Sequence, residues 1–183
     1  SQAAAVLLTA DPGMGKSRLG HEFLRKAKLA MPDLEVWIGS GDPSSAGSPF
    51  QLIASALRQA MSLTQSMTHA EQTDRLQRFV QTRVSVSERQ RIGEFVGELL
   101  GVSYHPQASA HLVAARGNPV LMGDQIRFAF LDLLKAILAE HPLLLVLEDL
   151  HWGDLPTVQL LDAALRTHAD EPLLILALAR PHV

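Results

Sequence analysis

Residues 10–17 read Ala-Asp-Pro-Gly-Met-Gly-Lys-Ser and are entered from the apolar run Ala3-Ala4-Ala5-Val6-Leu7-Leu8. A strand that runs into a glycine loop and then a helix leaves few folds open, because such a loop keeps its shape only when clamped between two rigid elements. The glycines let successive backbone N–H groups turn inward, and the helix presents its positive N-terminal end to whatever the loop encloses. That is the chemistry of a phosphate cradle. Lys16 is expected to reach the β- and γ-phosphates of a nucleoside triphosphate, and Ser17 to offer its hydroxyl to the Mg²⁺ that bridges them. The strict spacing begins with glycine, where this chain has Ala10. That position ends a strand and need not take φ > 0, whereas Gly13 and Gly15 sit where backbone crowding matters.

A second apolar run carries charge at its end. In Pro142-Leu143-Leu144-Leu145-Val146-Leu147-Glu148-Asp149, apolar residues follow one another without alternation. This fits a strand buried on both faces, as in a parallel sheet covered by helices. At the carboxyl end of such a strand side chains emerge beside the phosphate loop, where open α/β sheets bind their ligands. The run resembles a Walker B strand. One carboxylate can hold Mg²⁺ through water while the other polarises the attacking water.

Composition bounds the rest. A chain of 183 residues, 47% of them apolar, can form one domain with a sizeable core. A net charge of −3, with no Lys/Arg-rich run and no basic amphipathic helix, offers no electrostatic footprint for nucleic acid, so direct nucleic-acid binding is not expected. The absence of cysteine excludes a disulfide framework and a thiolate metal site and suits the cytoplasm. No His-Glu-x-x-His or similar spacing occurs among the histidines, so the expected metal is Mg²⁺ arriving with the nucleotide. The longest apolar runs, Leu143 to Leu147 and Leu173 to Ala179, fall far short of the roughly 20 residues that span a bilayer, so no membrane association is expected.

Strands and helices alternate along the chain. The spacing of Leu19, Phe23, Leu24, Ala27 and Ala30 predicts a helix over 17–31 that ends at Pro32, and Glu35-Val36-Trp37-Ile38-Gly39 reads as a short strand. Residues 41–47 form a Gly/Ser/Pro loop, after which Ser48-Pro49 caps a helix running to about Leu63. Thr68-x-x-Glu71 and Ser85-x-x-Glu88 both fit the capping box and place helices at about 69–83 and 86–100, the second closed by Gly101. Residues 105–123 read as an irregular, exposed connection, and 124–140 as an amphipathic helix stopped by His141-Pro142. A helix at about 156–167 and a buried strand over Leu173 to Ala179 follow, the strand leading into Arg180 at a position suited to face a γ-phosphate.

Asp-Pro-Gly-Met-Gly-Lys-Ser-Arg-Leu at 11–19, Leu-Glu-Asp-Leu-His-Trp-Gly-Asp at 147–154 and Leu-Ala-Arg-Pro at 178–181 together resemble the AAA-like ATPase module of the STAND class. Modules of this class occur in large bacterial regulators of the MalT/large LuxR type, or fused to protein kinases and adenylate cyclases. The resemblance covers nearly the whole chain, the helical middle only in outline. It implies an α/β fold, a P-loop NTPase three-layer sandwich with a mainly parallel sheet. Residues 1–183 would be the core, with a helical insertion at about 64–123 and truncation after the sensor strand. In the sheet order of this class the phosphate-loop strand would then lie at an edge, which favours self-association.

The resemblance also implies roles. Asp11, Pro12, Gly13, Met14, Gly15, Lys16, Ser17 and Arg18 would bind ATP, Ser17 and Glu148 would hold Mg²⁺, and Lys16, Glu148, Asp149 and Arg180 would serve catalysis, with Arg180 as the sensor. The class usually has Asp at the first acid, so Glu148 and Asp149 can divide their labour either way. Asp154 is a third acid, or simply the start of a helix; His151 and Trp152 either touch the nucleotide or pack under the loop. The function expected is ATP binding with slow Mg-dependent hydrolysis as a signalling switch inside a larger regulatory protein, partnered by its other domains. The alternative is a nucleotide-binding scaffold without useful turnover.

Overall fold

The computed structural model describes residues 2–43 and 49–181. Two compact units divide the chain, one of Ser1–Ala60 with Leu138–Val183, the other of Met61–Ile137. The loop expected over 41–47 and the cap expected at Ser48 fall largely on 44–48, outside the described residues.

The first unit holds a four-stranded, all-parallel sheet of β1 (Ala4–Thr9), β2 (Glu35–Ser40), β3 (Leu143–Glu148) and β4 (Leu173–Ala179), in the order β1-β4-β3-β2. The apolar run of β3 is buried throughout because it is central and covered on both faces. β1 pairs with β4 alone and is the edge, with Val6 and Leu7 half-exposed.

Helix α1 (Lys16–Ala30) lays Leu24 and Ala27 against the face formed by Leu144, Val146, Leu176 and Leu178. Its Leu19 and Phe23, expected on the same apolar stripe, are exposed, since the sheet ends at β1 and offers that side of the helix nothing to cover. α1 stops at Met31 because the following Pro32 pushes that residue out of the helical region, to φ −132°. Helix α2 (Gln51–Ala60) covers the opposite face, so close that a Cβ on Gly39 would lie 2.3 Å from the Leu52 carbonyl oxygen. It is shorter than the helix expected from Pro49 to about Leu63. The last helix of this unit, α7 (Leu155–Thr167), joins parallel strands β3 and β4 and packs against α2. One helix on one face and two on the other make this unit the three-layer α/β sandwich expected.

The second unit is helical. α3 (His69–Arg83) begins with the expected capping box, in which the Thr68 side chain accepts from Glu71 N–H and the Glu71 carboxylate accepts from Thr68 N–H at 2.7 Å. α4 (Arg89–Leu100) ends at Gly101 with φ 66° as expected, but its start is a correction. The Ser85/Glu88 box does not form: Ser85 pairs with Ser87, Glu88 turns forward to Arg91, and the helix begins three residues later than the box requires. A second correction concerns 105–123. That stretch contains α5 (Ala110–Arg116), capped by Ser109 accepting from Leu112 N–H, and the first turn of α6 (Pro119–Leu138). α6 therefore starts five residues earlier than read, with the Asn118 side chain accepting from Val120 and Leu121 N–H and a proline in the first turn. Among the described residues no helix is long and apolar enough to cross a membrane.

Candidate functional site

Parallel pairing sends the carboxyl ends of β1, β3 and β4 to the same side of the sheet, and the sequence-predicted residues ride on those ends. The loop after β1 carries Asp11 to Ser17, β3 ends in Glu148 with Asp149 next, and Arg180 follows β4. Ala10 N–H donates to the Ala179 carbonyl at 3.4 Å, so the start of the loop is stitched to the residue before Arg180.

Gly13 and Gly15 both adopt left-handed backbone, φ 81° and 84°. A Cβ on either would meet nothing within 4 Å, so backbone conformation, rather than the crowding expected, demands glycine in this structure. Gly15 is also the N-cap of α1, with no side-chain cap and no acidic residue in the first turn. No side chain caps the N–H groups of that first turn, which are groups that an anion can take. The Lys16 ammonium is folded back on the loop, donating to the Ala10 carbonyl at 2.5 Å and the Asp11 carbonyl at 3.1 Å. Asp11, Pro12, Met14, Ser17 and Arg18 are exposed.

Glu148 is three-quarters buried, its side chain 25% exposed. Two residues that sequence reasoning missed approach it: Ser40 Oγ donates to Glu148 Oε2 at 3.4 Å, and His21 Nε2 lies 4.0 Å from Oε1. Each had a signal. His21 stands one helical turn beyond Ser17, and Ser40 ends β2, the strand paired with β3, in register with Glu148. Asp149 lies outside the strand in left-handed backbone, φ 52°, with its carboxylate 56% exposed. Its carbonyl accepts from Trp152 N–H at 2.9 Å, starting a 3₁₀ turn over Leu150–Trp152, and Gly41 lies flush against that carbonyl. A hydroxyl and a carboxylate are hard oxygen donors, so Ser17 and Glu148 fit a Mg²⁺ ion chemically.

The sequence model of the AAA ATPase domain matches residues 1–176. The chain belongs to that family. Membership carries nucleotide binding with it, usually with Mg²⁺. No curated protein and no solved structure matches the chain.

Two further residues of this AAA ATPase domain separate in role. Asp154 is a structural acid: it caps α7 by accepting from Thr157 N–H at 2.8 Å, takes the Thr157 hydroxyl at 2.7 Å, and accepts from Phe50 N–H at 3.0 Å. His151 is packed, its side chain only 12% exposed and its ring 5.1 Å from that of Trp152. Yet both its ring nitrogens are buried without a hydrogen-bond partner among the described residues, an arrangement that costs about 1–3 kcal/mol wherever it persists. Its Nδ1 stands 3.9 Å from Asp149 Oδ1.

Proposed function

We propose that this domain binds ATP and hydrolyses it slowly as the nucleotide switch of a larger, STAND-type regulatory protein, coupled to that protein's other domains. The observation that carries the reading is one end of the sheet that gathers an uncapped α1 with glycines at φ 81° and 84°, a lysine on the loop's own carbonyls and, two strands over from β1, the carboxylate that ends β3 with a second just beyond it.

The steps follow from those residues. Lys16 gives up the Ala10 and Asp11 carbonyls and turns to the β- and γ-phosphates, exchanging two partial charges for full ones. The open N-terminus of α1 receives the phosphate oxygens. Ser17 and Glu148 would hold Mg²⁺, whose charge would offset the charge that develops on the phosphate. Glu148 is already held by Ser40, while Asp149 is free to turn, and this supports Glu148 as the metal carboxylate and Asp149 as the group that polarises water. Arg180, beside the start of the loop, would stabilise charge on the γ-phosphate. Binding thereby orders the loop and hydrolysis releases it, which is a switch.

Isothermal titration with ATP–Mg²⁺ and ADP–Mg²⁺, beside the same titration of Lys16→Ala, tests the site. Affinity should fall by about tenfold or more in the variant, the worth of hydrogen bonds between charged groups; equal affinity would remove the phosphate-loop reading. Turnover cut to a small residual rate by Asp149→Asn with binding retained supports the assigned acids. Full turnover in Asp149→Asn with none in Glu148→Gln would invert them, and binding without turnover in the unaltered chain would leave a scaffold.

A further inference from the structure

Among the described residues, His151 carries two buried polar side-chain atoms that make no hydrogen bond. The ring is buried, yet neither nitrogen finds a partner among the described residues. A leucine would fill such a site without leaving two polar atoms dry. The Asp149 carboxylate is the complementary case: half in solvent, it makes no hydrogen bond to any described residue, and its Oδ1 is 3.9 Å from His151 Nδ1.

Both side chains hang from a hydrogen-bonded turn. Trp152 N–H bonds to the Asp149 carbonyl at 2.9 Å, Gly153 N–H to the Leu150 carbonyl at 2.8 Å, and Gly41 backs the turn. Only side-chain torsion separates the pair. Closing to an ordinary N–H···O distance of about 2.9 Å takes a movement of about 1 Å, which the exposed Asp149 carboxylate can make by rotating about its Cα–Cβ bond. The contact needs no charge on the imidazole, because the neutral tautomer protonated on Nδ1 already donates.

We propose that His151 is a positioning residue whose Nδ1–H closes on Asp149 Oδ1 and aims the second carboxylate oxygen at the attacking water. The inference rests on the hydrolysis reading above. It gives a free carboxylate one orientation, which general-base assistance needs because a proton acceptor must lie within hydrogen-bond reach of the proton it takes.

The test compares His151→Leu, which fills the space without a donor, with His151→Asn, whose amide nitrogen occupies the place of Nδ1. Single-turnover hydrolysis should fall by roughly tenfold or more in His151→Leu, the worth of one hydrogen bond to a charged group, while ATP–Mg²⁺ affinity stays within about twofold. His151→Asn should recover most of the rate. In an Asp149→Ala background His151→Leu should cost nothing further, since the partner is already gone. In a spectrum of the chain with ¹⁵N-labelled histidine and a non-hydrolysable ATP analogue, the His151 Nδ1–H proton should be protected from exchange and lose that protection in Asp149→Ala.

A wild-type rate in His151→Leu, equal losses in Leu and Asn, or an undiminished effect without Asp149 would each overturn the inference. If His151→Leu does not fold, the spectrum decides: an Nδ1 that carries no protected proton overturns it. Failure of the unaltered chain to hydrolyse ATP would sink the hydrolysis reading and this inference together. Normal turnover with His151→Leu unaffected would sink the inference alone.

Discussion

Replacing Gly41 with alanine should damage the acid turn while sparing the phosphate loop. The added Cβ would lie 2.5 Å from the Asp149 carbonyl oxygen and 3.1 Å from Trp152 Cβ, where ordinary contact begins at 3.4 Å. One side must therefore yield by about 0.9 Å, and the near atom is backbone, which cannot swing aside as a side chain would. Gly41 is itself fastened, its N–H donating to the Glu148 carbonyl at 2.9 Å, so the strain passes to the residues that carry both carboxylates. Overpacking of this kind costs about 1–3 kcal/mol, or a fall in Tm of roughly 2–4 °C for each kcal/mol in a chain of this size. Misplacing a reacting group by about 1 Å can cost on the order of 100-fold in rate.

The control is Gly39→Ala, whose Cβ would meet the Leu52 carbonyl at 2.3 Å and so press on α2 instead of the acid turn. Thermal melts, ATP–Mg²⁺ titration and turnover of both variants provide the assay. Both should melt lower and both should bind nucleotide, but only Gly41→Ala should lose turnover. An unchanged Tm in Gly41→Ala, or equal turnover in the two variants, would refute the reasoning.

Asp154→Ala should lower stability by about 1–2 kcal/mol, the upper range for a helix cap, because it strands Phe50 N–H and the Thr157 donors together; chemical denaturation measures it, and a loss equal to that of an exposed Asp162→Ala would contradict the role. Ser109→Ala should cost about 1.5–3 kcal/mol, since the buried Glu94 carboxylate loses the 2.5 Å bond from the Ser109 hydroxyl and α5 loses its cap; amide exchange at 110–116 should rise with it. The Thr68 backbone N–H and hydroxyl hold the Glu71 carboxyl below its ordinary value, so its contribution is present above the unfolded pKa and lost as pH falls through the lower folded one. Acid titration followed by exchange in the first turn of α3 should show the loss in wild type and a flat response in Glu71→Gln.

Where structure depends on neighbours along the chain, the sequence was enough. The limits of β4, the Thr68/Glu71 box and the Gly101 stop all depend on residues within one turn of one another, and the phosphate loop declares itself through glycines that its backbone requires. Local signals fail where they compete. Ser85-x-x-Glu88 has the letters of a capping box, but Arg91 stands one turn on and draws the carboxylate forward, with Asp132 from α6 completing the group. Ser109 and Asn118-Pro119 are also helix starts, but α5 is only seven residues long and the surrounding polar stretch reads as loop.

Of the candidate site, sequence alone named the proposed members: Lys16 and Ser17 on the loop, Glu148 and Asp149 after the apolar run, Arg180 after the last strand. Tertiary structure decided what each was free to do. Pairing β2 in register with β3 brought Ser40 onto Glu148 and Gly41 beneath Asp149, and the turn after β3 buried His151 within reach of that acid while giving Asp154 to the helix. The physical reason is that residue type sets which bonds a side chain can make, but which partner comes within 3 Å is settled only when strands distant in sequence lie side by side.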